Sequence, residues 1–167
     1  MGIKVLDGKG ALLARIFKGG RLWRACSTSR EFALNICLDP ELFLFSVLER
    51  SRLSFSKSAL LGVPVVNGCE GYLECVKIGS VVTDADSQLV YLQVVNEVVN
   101  GLKPYTRALG LAIEVLIELT RILSGVKGCS ESKQLILETL DRMRRVEVSG
   151  GLVSELKRAV ERVCGFT

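Results

Sequence analysis

Phe32-Ala33-Leu34-Asn35-Ile36-Cys37-Leu38-Asp39-Pro40-Glu41-Leu42-Phe43 is the stretch on which the fold turns. Its first seven residues are apolar at every position but Asn35, the pattern of a strand buried on both faces. Asp39 then offers an N-cap, Pro40 a preset φ at the first helical position and Glu41 an early acid, so a helix is predicted to run to about Arg50. Upstream, Ile3–Leu6 and Ala11–Phe17 flank Asp7-Gly8-Lys9-Gly10, whose glycines suit a hairpin turn, so this pair is predicted to be antiparallel. Downstream, the serine- and base-rich run from Arg50 to Leu61 reads as a surface loop. Val63-Pro64-Val65-Val66 then leads into two long strand candidates, Tyr72–Val82 and Gln88–Val98, joined by a polar turn at Thr83–Ser87. Six strand candidates and one short helix predict a small barrel over residues 1–100.

The composition changes at Gly101, and residues 101–167 read as a helical subdomain packed on the barrel. From Tyr105 to Leu123 apolar residues lie on almost all sides of the helical wheel, which predicts a buried spine. Arg107, Glu114 and Arg121 recur every seven residues, a spacing that returns within about 20° on a helix, so they form one line. That line is either a buried ion-pair ladder or part of a ligand site. Glu131–Val146 and Gly151–Cys164 carry one-sided apolar stripes and are predicted to pack on the spine. The fold class is therefore α+β, an antiparallel barrel followed by a C-terminal helical subdomain.

The whole chain bounds the chemistry. It has 167 residues, 49% hydrophobic and 24% charged, which is the composition of a globular protein rather than a disordered one. Its net charge of +4 is scattered, too thin a basic excess to argue for nucleic acid. The longest uncharged apolar stretch, Leu42 to Leu48, is far below the ~18 residues of a membrane span, so the chain reads as cytoplasmic. There is no histidine. Ser–His and Cys–His pairs and His-containing zinc sites are thereby excluded, and redox or acid–base chemistry would be borrowed from a cofactor that composition cannot name. Six cysteines, none in a Cys-x-x-Cys pair, read as buried free thiols rather than a metal cluster or a disulfide such as Cys69–Cys75.

Lys18-Gly19-Gly20-Arg21 follows a strand and sets two flexible backbone amides between two cations, a combination that suits a phosphate. A plain tight turn is the alternative. Arg24, Ser27, Thr28, Ser29 and Arg30 add anion-friendly donors just beyond it. Glu74 and Glu97 are general-acid candidates if buried and solvent-facing strand residues otherwise. Trp23 and Tyr72 could stack a planar ring or serve the core.

Three segments carry a resemblance. Phe17-Lys18-Gly19-Gly20-Arg21, then Phe32 to Phe43, then Pro104-Tyr105-Thr106-Arg107-Ala108 with Glu114 and Thr120-Arg121, together resemble the archaeal domain-of-unknown-function family 447. That family is similar to FMN-binding split barrels of the flavin-reductase and pyridoxamine-phosphate-oxidase type. The resemblance spans about residues 1–125 and implies a split barrel, a helical C-terminal subdomain and a homodimer that binds FMN near its interface. An FMN-binding reading puts the phosphate at the turn Lys18, Gly19, Gly20 and Arg21 with the donors from Arg24 to Arg30, Ser27, Thr28 and Ser29 among them, and takes Asn35 and Arg107 as further candidates because they are polar residues in otherwise apolar elements.

The departures are specific. Gly20, Leu22, Ala25 and Cys26 stand where the family usually has Thr-x-Thr with a following Asn-Leu, so the hydroxyls that would donate to a phosphate are absent, and Thr106 stands where its helix motif has Asn. Met1-Gly2-Ile3 aligns with a family segment that follows an opening strand, which implies an upstream start or a shortened member lacking one barrel strand. Two functions follow: an FMN-binding flavoprotein of the flavin-dependent oxidoreductase kind, or a non-catalytic dimeric module whose flavin site has degenerated.

Overall fold

The structure is a computed structural model that describes residues 2–6, 10–101, 104–146 and 151–166. The chain forms β1 (Gly2–Leu6), β2 (Ala11–Phe17), α1 (Arg21–Thr28), β3 (Glu31–Ile36), α2 (Pro40–Leu48), β4 (Phe55–Lys57), β5 (Pro64–Val66), β6 (Gly71–Asp84) and β7 (Ser87–Val99). Three helices follow: α3 (Arg107–Leu123), α4 (Cys129–Val146) and α5 (Gly151–Cys164). It divides into a sheet unit, residues 1–36 and 55–101, and a helical unit, residues 37–54 and 102–167. The segment carrying α2 thus groups with the C-terminal helices, although its position in the sequence suggested the barrel domain.

In the sheet unit five antiparallel strands run in the order β1-β2-β7-β6-β3, and β4 pairs with β5 in a separate ribbon. Strand periodicity sets the core. Leu12, Ala14 and Ile16 alternate inward along β2 and lie opposite Leu92, Val90 and Gln88 of β7. The predicted β1–β2 hairpin is present with Leu6 opposite Ala11, while Asp7–Lys9 of its turn lie outside the described residues. Gly71 opens β6 where a Cβ would come within 2.5 Å of the Val98 carbonyl oxygen, so no other residue fits that close approach.

Three expectations need correction. β3 is not buried on both faces: it is an outer strand paired only with β6, and Asn35 is exposed. The run from Arg50 to Leu61 is not all loop, because it contains β4, whose residues are exposed and whose support is backbone pairing to β5 rather than burial. Residues 21–28 are helix, where the sequence suggested only a cluster of donors.

The helical unit packs α3, α4 and α5 around Leu116, Leu119, Ile136, Leu140, Met143 and Leu156, with Leu44 of α2 in the same cluster. α2 begins as its sequence predicts, with the Asp39 carboxylate accepting from the Glu41 amide at 2.9 Å. Thr106 caps α3 by accepting from the Leu109 amide, which explains how it replaces Asn: both are N-cap residues. The cysteine expectation fails at one pair. Cys129 at the start of α4 and Cys164 at the end of α5 form a disulfide with Cα atoms 5.6 Å apart, while Cys26, Cys37, Cys69 and Cys75 take no part in a disulfide. Among the described residues no cluster of metal-ligating side chains occurs, and no helix is long and apolar enough to cross a membrane.

Candidate functional site

Helix α1 organises the glycine turn into a possible binding surface through both of its ends. At its start Gly19 takes φ +85°, a conformation open to glycine, and Gly20 stands at the N-cap without a side chain to satisfy the first amides. No acid occupies the first turn. The exposed N–H groups, the positive end of the helix dipole and the side chains of Lys18, Arg21 and Arg24 therefore converge on one sign of charge. None of these three cations has an ion pair among the described residues. The Lys18 amide donates to the Asp86 carbonyl at 2.8 Å, which pins the turn to the β6–β7 connection. That connection is itself tight: Asp84 accepts from the Asp86 amide at 2.9 Å and from the Ser87 hydroxyl at 2.8 Å, and these bonds hold its carboxyl below the usual range.

The other end of α1 is anchored to the sheet. Cys26 is buried in the sheet core, Trp23 packs against the same cluster, and Lys77 donates from Nζ to the Cys26 carbonyl. A cation at a helix C-terminus complements the dipole and leaves the N-terminus as the free end. Trp23 and the buried Tyr72 thus serve the core rather than an open stacking surface.

The remaining candidates have surroundings of their own. Ser27 and Thr28 sit in the last turn of α1, where their hydroxyls donate back to the carbonyls of Trp23 and Arg24, and Ser29 is the C-cap. Ser29 and Arg30 instead border a shallow hollow with Glu31 and Val63. Asn35 accepts from the Val66 amide at 2.9 Å, tying β5 to β3. Arg107, Glu114 and Arg121 do lie in line on α3, but all three are exposed, so the buried ladder is overturned. Arg121 pairs instead with Glu118, a buried carboxylate three residues away that the spacing of seven passes over.

Glu97 is exposed, whereas Glu74 is fully buried. Burial alone would raise its pKa. Ser58 Oγ at 2.6 Å, Asn96 Nδ2 at 2.8 Å and the amides of Leu61 at 2.6 Å and Leu60 at 2.9 Å all donate to it and bring the pKa to about 2. Glu74 is therefore a charged clasp for the β4–β5 ribbon. Sequence inspection also missed α1 and Lys77. The apolar spacing of Leu22, Trp23 and Cys26 was the available signal for the helix, masked by its neighbouring Gly, Ser and Thr.

The fold is shared with solved structures of low sequence identity. The chain is similar to an FMN-bound protein from Methanosarcina mazei assigned to domain-of-unknown-function family 447, with a TM-score of 0.71 and 19% identity over 97% of this chain and 85% of that one. It is also similar to the flavin reductase HpaC, solved in complex with NADP+, with a TM-score of 0.50 and 13% identity over 56% of this chain and 62% of that one. No family profile and no curated protein matches the sequence.

Proposed function

We propose that this protein is an FMN-binding flavoprotein that works as a homodimer in flavin-dependent redox chemistry. The observation that carries the proposal is the uncapped start of α1, where Gly19 and Gly20 present free amides among Lys18, Arg21 and Arg24 in a fold shared with an FMN-bound protein. The donor set fits a phosphate monoester: several cations and backbone N–H groups, with no carboxylate in the first helical turn. FMN, when bound, supplies electron and hydride transfer at its ring. The chain's residues hold and orient it. Lys18, Arg21 and Arg24 neutralise the phosphate, the α1 amides fix its direction, and Asn35 keeps Nδ2 as a donor while Oδ1 is held by Val66. A homodimer is supported by β1, where Ile3 and Val5 lie opposite Ala14 and Leu12 on the inward side of the sheet yet remain exposed.

One observation favours a second reading, a dimeric module that keeps the fold without flavin. The hydroxyls of Ser27 and Thr28 are turned to the carbonyls of their own helix, so they do not replace the hydroxyls that the resembling family places after its glycine turn. Titration of the purified protein with FMN separates the two. Saturable quenching of flavin fluorescence at micromolar concentration is the expected result, and no quenching up to millimolar FMN establishes the second reading.

A further inference from the structure

Helix α3 carries a second surface, separate from the glycine turn. It buries Leu111, Ala112, Val115, Leu116, Glu118 and Leu119 in one stripe. Two residues turn a helix by about 200°, so Ile117, two from Val115 and two from Leu119, lies at the middle of the opposite side, where it is 38% exposed. A helix whose outer side faces water carries polar residues there. α3 instead sets half-buried Gly110 and Ile113 and exposed Ile117 along that midline, and confines its charges to one flank, the line of Arg107, Glu114 and Arg121.

The line is unevenly committed. Arg121 donates from Nη1 to the buried Glu118, yet its side chain is 49% exposed and a guanidinium has further N–H groups to give. Arg107 and Glu114 have no ion pair among the described residues. The order of signs then limits how two such helices pair, because in a two-fold pair residue i meets j as j meets i. A parallel pair sets the charged flank against the other flank, where Leu109 and Thr120 stand. An antiparallel pair sets the charged flank of one helix on that of the other. Centred on Glu114, it opposes Glu114 to itself and Arg107 to Arg121, all like charges. Centred between Arg107 and Glu114, it crosses at Gly110, where the Tyr105 hydroxyl already fills the space beside the glycine. Centred beside Ile117, it brings the two Ile117 side chains together and gives Glu114 of each copy the partner's Arg121.

We propose that the outer face of α3 packs antiparallel against the same face of a second copy of this chain, with Ile117 at the two-fold axis and Glu114 paired to the partner's Arg121. The charge pattern is complementary to itself in that register, which is why the occupant is another copy. One helix face is small for an interface, so the contact is reversible and fills at high protein concentration. The pairing rests on the homodimer reading only in that the chain self-associates, and it uses a surface other than β1.

Diamide oxidation of full-length Ile117→Cys tests the geometry, since a residue at the two-fold axis meets its own copy. A covalent dimer is expected on a non-reducing gel, with none from the wild type or from Arg144→Cys, an exposed control on α4. Glu114→Arg makes the whole line basic. It is expected to weaken self-association in sedimentation velocity roughly tenfold and to remove most of the Ile117→Cys cross-link. Both positions are exposed, so ellipticity at 222 nm is expected to stay at the wild-type value, which separates these losses from misfolding. Self-association without an Ile117→Cys cross-link, or a cross-link that Glu114→Arg leaves intact, overturns the α3 pairing and leaves the homodimer reading standing. A chain that stays monomeric up to about 1 mM overturns both.

Discussion

The sheet unit buries Glu74 as well as Glu70 and the helical unit buries Glu118, and Glu74 and Glu118 are kept charged by opposite means. Glu74 in the sheet unit is satisfied by neutral donors alone, namely two backbone amides, a serine and an asparagine. Glu118 in the helical unit is held by Lys127 at 2.9 Å, Ser132 at 2.9 Å and Arg121. Burial pushes the Glu118 carboxyl up, and those bonds outweigh it and leave it below the usual range. The difference is one of reach. Directional neutral donors demand a fixed backbone and are little screened, so Glu74 can organise a ribbon sixteen residues away in sequence. Arg121 and Lys127 have side chains 49% and 36% exposed, so salt competes with their hold on Glu118.

The largest effect is expected from Glu74→Gln, which removes the charge and sets an amide N–H against the donors of Ser58 and Leu61. Trp23, the single tryptophan, packs in the sheet unit and reports on it by fluorescence. Its urea midpoint should fall further for Glu74→Gln than the 222 nm ellipticity midpoint falls for Glu118→Gln; an equal or smaller drop breaks the comparison. The sign with pH follows from the lowered pKa. The Glu74 contribution is full above its ordinary value of 4.5 and is lost as pH falls toward about 2. Acid titration of Trp23 fluorescence should place the sheet transition in that window.

Reduction of Cys129–Cys164 comes next. A disulfide closing a loop of this size contributes about 2–4 kcal/mol, so dithiothreitol should lower the helical ellipticity transition while leaving the Trp23 midpoint in place. Smallest is Lys127→Ala, expected to cost about 1 kcal/mol at low salt and less at ~1 M salt. Ser58→Ala should instead keep its full cost at both salt concentrations. Identical salt responses would remove the distinction between the two carboxylates.

Much of the architecture was legible where a local period or cap decides it. Alternation along β2, β6 and β7, the Asp39-Pro40-Glu41 start of α2 and the stripes of α4 and α5 all announce their elements. What escaped depends on distant partners. β4 exists because β5 pairs with it, and Glu74 acts through a loop whose distance in sequence hides the contact. The disulfide joins cysteines 35 residues apart, a pairing that spacing alone cannot select. The line of Arg107, Glu114 and Arg121 was found at its true period, but periodicity does not say which face is buried. At the candidate site the glycine turn and its cations were visible, whereas α1, which aims their amides, was concealed by small polar residues.

The central claim is that the turn before α1 holds a phosphate, and the ratio of FMN to riboflavin affinity measures it most directly, since only FMN carries that group. A charge-assisted hydrogen bond contributes about 1.5–3 kcal/mol, so Lys18→Ala with Arg21→Ala should weaken FMN by roughly ten- to hundredfold or more and leave riboflavin nearly unchanged. Equal weakening of both flavins, or no change in either, would contradict the assignment.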